Sequence, residues 1–179
     1  MTGSSWTILT CCRSASAVGL AVLALALPGL ARELPQPSGE PVLTIDGPIT
    51  TTNVQSKAVF DMSMLQLMPH TTYRTSTVWT DGVHEFEGVS LKALLERVGA
   101  GDATSVSAKA INDYAVEIPA EAITAGAPII AYWIDGTEFP RRAKGPLWVI
   151  YPFDSDENFR SEVTYNRSIW QLDRLTVRK

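Results

Sequence analysis

The residues best suited to chemistry are aromatic and amide side chains gathered beside turn signals. Trp79 precedes Asp81-Gly82, Tyr114 follows Asn112-Asp113, Trp133 precedes Asp135-Gly136, Tyr151 precedes Pro152 and Trp170 precedes Gln171. Strand ends that meet on one rim would form a flat slot with polar edges. Such a slot suits a planar ligand, because aromatic faces stack on a conjugated ring while Asn, Asp, Thr and backbone groups read its hydrogen-bonding edge. Trp133 and Trp148 lie inside apolar runs and are expected in the core. Trp79 and Tyr114 have polar turn neighbours, so a cross-strand partner and a ligand wall describe them equally well. A basic cluster, Arg141, Arg142 and Lys144 ahead of Gly145-Pro146, reads as a solvated loop or as an anion- or carbonyl-binding one.

Catalytic constellations are absent from the sequence. It has no Gly-x-Ser-x-Gly elbow and no histidine placed to serve as the base of a serine. Asp154, Asp156 and Glu157 fall in a polar stretch that reads as a solvated turn. His70 and His84 are the only histidines, and they are not at metal-ligand spacing. No catalytic residue and no metal ligand is therefore assigned.

The elements that must position these residues begin after a distinct N-terminal segment. The chain has 179 residues, 45% hydrophobic and 19% charged, with a formal net charge of −4. Residues 1–31 carry Arg13 as their one charge, then an apolar run from Ala15 to Leu27 and a Pro28-Gly29 break. This pattern predicts a secretory signal peptide cut after Ala31, its apolar run falling short of the roughly 20 residues that span a bilayer. Removal of that segment leaves 14 basic residues against 19 acidic ones, about −5, so no basic field remains for nucleic acid. Cys11 and Cys12 leave with it, and a cysteine-free domain has no disulfide, thiolate nucleophile or Cys-ligated metal.

Residues 32–41 are rich in Pro, Ser and Gly and are expected to form a flexible lead-in to one domain over residues 42–179. Asp81-Gly82, Asn112-Asp113 and Asp135-Gly136 each separate β-like runs and predict hairpins. Helical patterns are short. One runs from Asp61 to Leu67, one starts at a Ser90 cap and stops at Gly99, and a third runs from Pro119 through Ile123 with Pro at its first position. The fold class is α+β, with strand-rich mixed sheet and few short helices. No Gly-rich phosphate loop follows a strand, which argues against a doubly wound nucleotide-binding sheet.

With these residues in view, the chain resembles the oxidoreductase molybdopterin-binding domain of the sulfite-oxidase fold, in its small stand-alone periplasmic form. The resemblance runs through Leu43 to Pro48, Phe86 to Leu95, Ile111 to Pro119, Lys144 to Pro152 and Trp170 to Leu172. It implies a barrel-like mixed sheet. Redox members of that family supply a cysteine thiolate to molybdenum at a position that falls here within Thr75-Ser76-Thr77, and a hydroxyl does not replace a soft anionic thiolate. The basic residue that such oxidases place before the C-terminal Trp is Ile169 here.

The string Thr75 to Gly82 is similar to that of PruR-type periplasmic pterin-binding regulators. That resemblance implies a non-enzymatic periplasmic protein that binds a reduced, metal-free pterin instead of the molybdenum cofactor. It further implies a partner: the periplasmic region of an inner-membrane protein with GGDEF and EAL domains, which make and degrade cyclic di-GMP, and so a role in surface attachment and biofilm. Under this reading Trp79 or Tyr114 stacks on the ring, Asn112 and Asp113 read its amino-oxo edge, and Thr75 and Thr77 fill the former thiolate space or bond the ligand's tail. Arg74 and Lys144 stand at the mouth, with Tyr151 and Trp170 completing the ligand-binding set. The alternatives are a molybdopterin-dependent oxidoreductase or its accessory subunit, and an interaction module that kept only the fold.

Overall fold

The computed structural model describes residues 33–179, together with Gly3. The expected signal peptide lies outside the described residues. Ten strands and three short α-helices follow in the order β1 (Pro41–Asp46), β2 (Ala58–Asp61), α1 (Met62–Gln66), β3 (His70–Thr77), β4 (Thr80–Ser90), α2 (Leu91–Arg97), β5 (Ser105–Ala110), β6 (Ala115–Pro119), β7 (Ile129–Ile134), β8 (Thr137–Glu138), β9 (Trp148–Ile150), α3 (Glu162–Arg167) and β10 (Leu172–Arg178).

The strands form two five-stranded sheets. One has the order β2-β1-β10-β5-β6; the other runs β3-β4-β7-β8, with β9 also paired to β7. Only β1 and β10 pair in parallel, in the register Thr44 to Arg174. Alternation sets the faces: β5 buries Val106, Ala108 and Ala110 and leaves Ser105, Ser107 and Lys109 half-buried, so every second residue enters the core. Leu43, Ile45, Val106 and Leu175 from one sheet pack with Val89, Ile130 and Tyr132 from the other and with Leu91 and Leu94 of α2 in one continuous cluster. A second cluster, built on Tyr73, Phe86, Phe139 and Trp148, includes alternate residues of β7 and β9.

Gly88 marks where β4 crosses β7. A Cβ there would lie 2.2 Å from the Ile130 carbonyl oxygen and 2.6 Å from the Ala131 Cα, so the glycine of the Phe86-Glu87-Gly88-Val89 string is a packing requirement.

The helix boundaries follow the sequence reading in two cases out of three. Asp61 caps α1 by accepting from the Met64 N–H at 2.9 Å, and Gly99, at φ +71°, follows α2. Ser90 precedes α2, yet its hydroxyl makes no capping bond and lies buried without a partner. The segment after Pro119 is a single 3₁₀ turn, Ala120–Ala122, with Pro119 as its cap.

Two further expectations are corrected. The hairpin between β3 and β4 turns at Val78-Trp79, with Thr77 opposite Thr80, while Asp81-Gly82 forms a two-residue bulge before Val83 pairs with Ser76. The lead-in is docked: Leu34 is buried in the main cluster, and the Ser38 and Gly39 N–H groups donate to the Asp61 carboxylate at 2.7 and 2.8 Å.

Candidate functional site

A slot of about 460 Å³ opens where the β3–β4 turn, the β5–β6 turn, α3 and the segment Ser168–Trp170 converge. Its volume lies within the range of small-molecule sites. Val78 and Trp79 come from the first turn, Asn112 and Tyr114 from the second, and Tyr165 and Asn166 from the last turn of α3. Ala110, Ser168, Ile169 and Trp170 complete it.

Trp79 is the most heavily supported of these side chains. Trp148, Phe153, Tyr165 and Trp170 all meet its ring edge-on, with centroids 5.7, 6.2, 5.9 and 5.8 Å away. Such edge-to-face contacts favour a fixed ring plane. The Thr77 hydroxyl accepts from the Trp79 N–H at 3.0 Å and pairs with the Thr80 hydroxyl at 2.8 Å, which holds the turn shut. Trp148, fully buried as expected from its apolar run, donates its indole N–H to the Ser168 carbonyl at 3.0 Å. Val149 donates to the Ile169 carbonyl at 2.9 Å, so β9 carries the slot's base.

Opposite, Asn112 Oδ1 accepts from the Tyr114 N–H at 3.2 Å, and Asp113 adopts φ +68° between them. The turn therefore presents Tyr114, 53% exposed, to the slot and turns Asp113 toward Lys109, whose ammonium lies 2.7 Å away and holds the Asp113 carboxyl below its usual range.

Of the ten residues singled out from the sequence, Trp79, Asn112, Tyr114 and Trp170 line the slot. Arg74 is an exposed residue of β3, in register with Glu85. Thr77 supports the Trp79 turn from behind. Thr75 is fully buried: its hydroxyl accepts from the Asp154 N–H at 3.0 Å and donates to the Ser76 carbonyl at 3.2 Å. Lys144 lies over the Trp148 ring, 5.5 Å from its centroid. Tyr151 is buried beside Phe153 and Phe159, and burial pushes its phenol up to about 12. Asp113 belongs to the outer ion pair just described.

Val78, Ala110, Tyr165, Asn166, Ser168 and Ile169 were not singled out as ligand contacts. Tyr165 and Asn166 stand next to the Ser168-Ile169-Trp170 string, but only the cap of α3 signals their placement: Ser161 accepts from the Thr164 N–H at 3.3 Å. Asp154, in a stretch whose polarity suggests a solvated turn, is instead held by several partners. It accepts from both the backbone N–H and the hydroxyl of Ser76 at 2.7 Å and pairs with Arg160, contacts that hold its carboxyl below the usual range, the Ser76 N–H foremost.

This arrangement suits a flat, uncharged ring. The slot is lined by aromatic faces and amides and by no Asp, Glu, Lys, Arg or His side chain. A lining of this kind suits a pterin-type ring. Within Thr75-Ser76-Thr77, where the resemblance places the family's thiolate, no cysteine stands and the Thr75 hydroxyl is engaged on both sides.

Comparison with known proteins agrees with the fold. No curated protein matches the chain. Among solved structures it is similar to the sulfane dehydrogenase SoxCD from Paracoccus pantotrophus, at 17% identity and a TM-score of 0.57, over 76% of this chain and 37% of that one. The chain thus spans well under half the length of that relative, and the likeness is one of fold. The model of the oxidoreductase molybdopterin binding domain matches residues 42–154, from β1 through the loop after β9 that contributes Asp154. With the strand-rich two-sheet architecture, that match assigns the chain to the oxidoreductase molybdopterin-binding domain family.

Proposed function

We propose that this chain is a non-enzymatic, exported pterin-binding protein of the periplasm that takes a reduced, metal-free pterin and regulates an inner-membrane partner. One observation carries the reading: within a molybdopterin-binding fold, the slot has aromatic walls and amides, while the stretch Thr75-Ser76-Thr77, where the resemblance places the metal-binding thiolate, has no cysteine and its Thr75 hydroxyl is bonded to the Asp154 N–H. A ring binder without a metal anchor is what that combination supports.

The regulatory part rests on the resemblance of the Thr75–Gly82 string to periplasmic pterin-binding regulators and on the N-terminal segment read as a signal peptide. The partner in this reading is the periplasmic region of a protein with cyclic di-GMP synthase and phosphodiesterase domains. Pterin shifts that association only by its differential affinity for free and partner-bound protein, and partner binding then changes pterin affinity by the same factor.

The test is mass spectrometry of small molecules released from protein purified from its native host, with metal analysis of the same sample. A pterin released without stoichiometric molybdenum supports the proposal. Stoichiometric molybdenum would replace it with the oxidoreductase reading.

A further inference from the structure

We propose that Asn166, not Asp113, reads the hydrogen-bonding edge of the ring held in the slot, and is the residue that sets specificity there. The inference rests on the pterin-binding reading above and adds the recognition element which that reading lacks.

The polar side chains of the lining can be separated by what they already do. The Ser168 hydroxyl donates to the Thr164 carbonyl at 2.9 Å, and Asn112 Oδ1 accepts from the Tyr114 N–H. Asn112 therefore offers the slot mainly a donor. The Tyr and Trp side chains give single O–H or N–H groups at the rims of their rings. Asn166 is exposed at the slot and its side chain makes no hydrogen bond among the described residues, so its amide is free to turn a donor and an acceptor, side by side in one plane, toward a ring. The pyrimidine edge of a pterin, a carbonyl beside a ring N–H, is the complement of that pair, and bidentate recognition of this kind is how one amide selects one ring edge.

Its placement is fixed by its neighbour. Tyr165 packs against Phe153 at 5.3 Å and meets Trp79 at 5.9 Å, so the last turn of α3 is tied to the residue best placed to stack on the ring. Asp113, by contrast, is committed to Lys109 outside the lining.

The test titrates two probes into the chain, following tryptophan fluorescence: 6-hydroxymethylpterin and 2-naphthalenemethanol, a ring pair of similar size with no edge to read. Asn166→Ala is expected to weaken pterin binding about tenfold or more and to leave naphthalene binding within about twofold, with Asn166→Gln recovering part of the loss. Unchanged pterin affinity in Asn166→Ala, or equal losses for both probes, overturns the assignment while leaving the pterin-binding reading intact. A wild-type chain that binds no pterin overturns both.

Discussion

Tyr114 and Trp79 face the same slot under different obligations. Trp79 meets four other rings, so its removal empties part of an aromatic core, at a cost of about 3 kcal/mol of stability on top of any binding loss. Tyr114 sits in a turn with its ring largely in solvent. Tyr114→Ala is therefore the cleaner probe: unfolding free energy should stay within about 0.5 kcal/mol of wild type, while pterin affinity falls about fivefold, as checked by denaturant melts beside fluorescence titration. The turn-adjacent aromatics were legible in the sequence because turn residues announce themselves. Asn166 was not, since it reaches the slot only through the packing of a helix some 50 residues after Tyr114. Asp113, at a left-handed backbone position, has its carboxylate paired with Lys109 outside the slot's lining, a placement that the turn signal alone does not convey.

Among the elements, two Asp-Gly pairs show what such a dipeptide can and cannot dictate. Asp135 and Gly136, at φ +50° and +72°, make the tight turn between β7 and β8 that their type predicts. Asp81 and Gly82 do not turn the chain, because Val78 and Trp79 do so first, held by the Thr77–Thr80 hydroxyl pair and by the packing of Trp79. The two Asp-Gly pairs are then joined by His84. Its Nδ1 lies 2.6 Å from the Asp135 carboxylate and its Nε2 2.8 Å from the Asp81 carbonyl, so both ring nitrogens face acceptors and the charged imidazolium is favoured. The Asp135 hydrogen bond, foremost, raises the His84 pKa above its ordinary 6.5, against an opposing effect of burial. A raised value in the folded state means that the stabilisation is complete below about pH 6.5 and is lost as pH rises through the folded-state pKa. Denaturant melts from about pH 6 to about pH 9 should show that decline, and His84→Gln should flatten it. An equal slope in the variant would remove His84 as its source.

On the scale of the whole molecule, the strand-rich α+β class and its short helices were readable from turn spacing, whereas the sheet order was not, because pairing between distant strands leaves no local trace. Composition misjudged the lead-in for a related reason: Pro, Ser and Gly suggested a loose segment, but Asp61 gathers it in. That buried carboxylate accepts from Ser38 and Gly39 in the lead-in and from Ser63 and Met64 in α1, and the Ser63 hydroxyl foremost holds its pKa far below the usual carboxylate range. Asp61→Ala removes a helix cap and leaves the buried Met64 N–H and the part-buried Ser38 and Gly39 N–H groups without their acceptor, so unfolding free energy should drop by about 2 kcal/mol, with Asp61→Asn recovering part of it in the same denaturant melts. The parallel pairing of β1 with β10 has a consequence in time. Because β10 lies between β1 and β5, the earliest strand of its sheet waits for the latest, and a ribosome or an export channel can release most of the chain before that sheet has its middle. Completion of that sheet is thereby tied to the strand that is made last among those described.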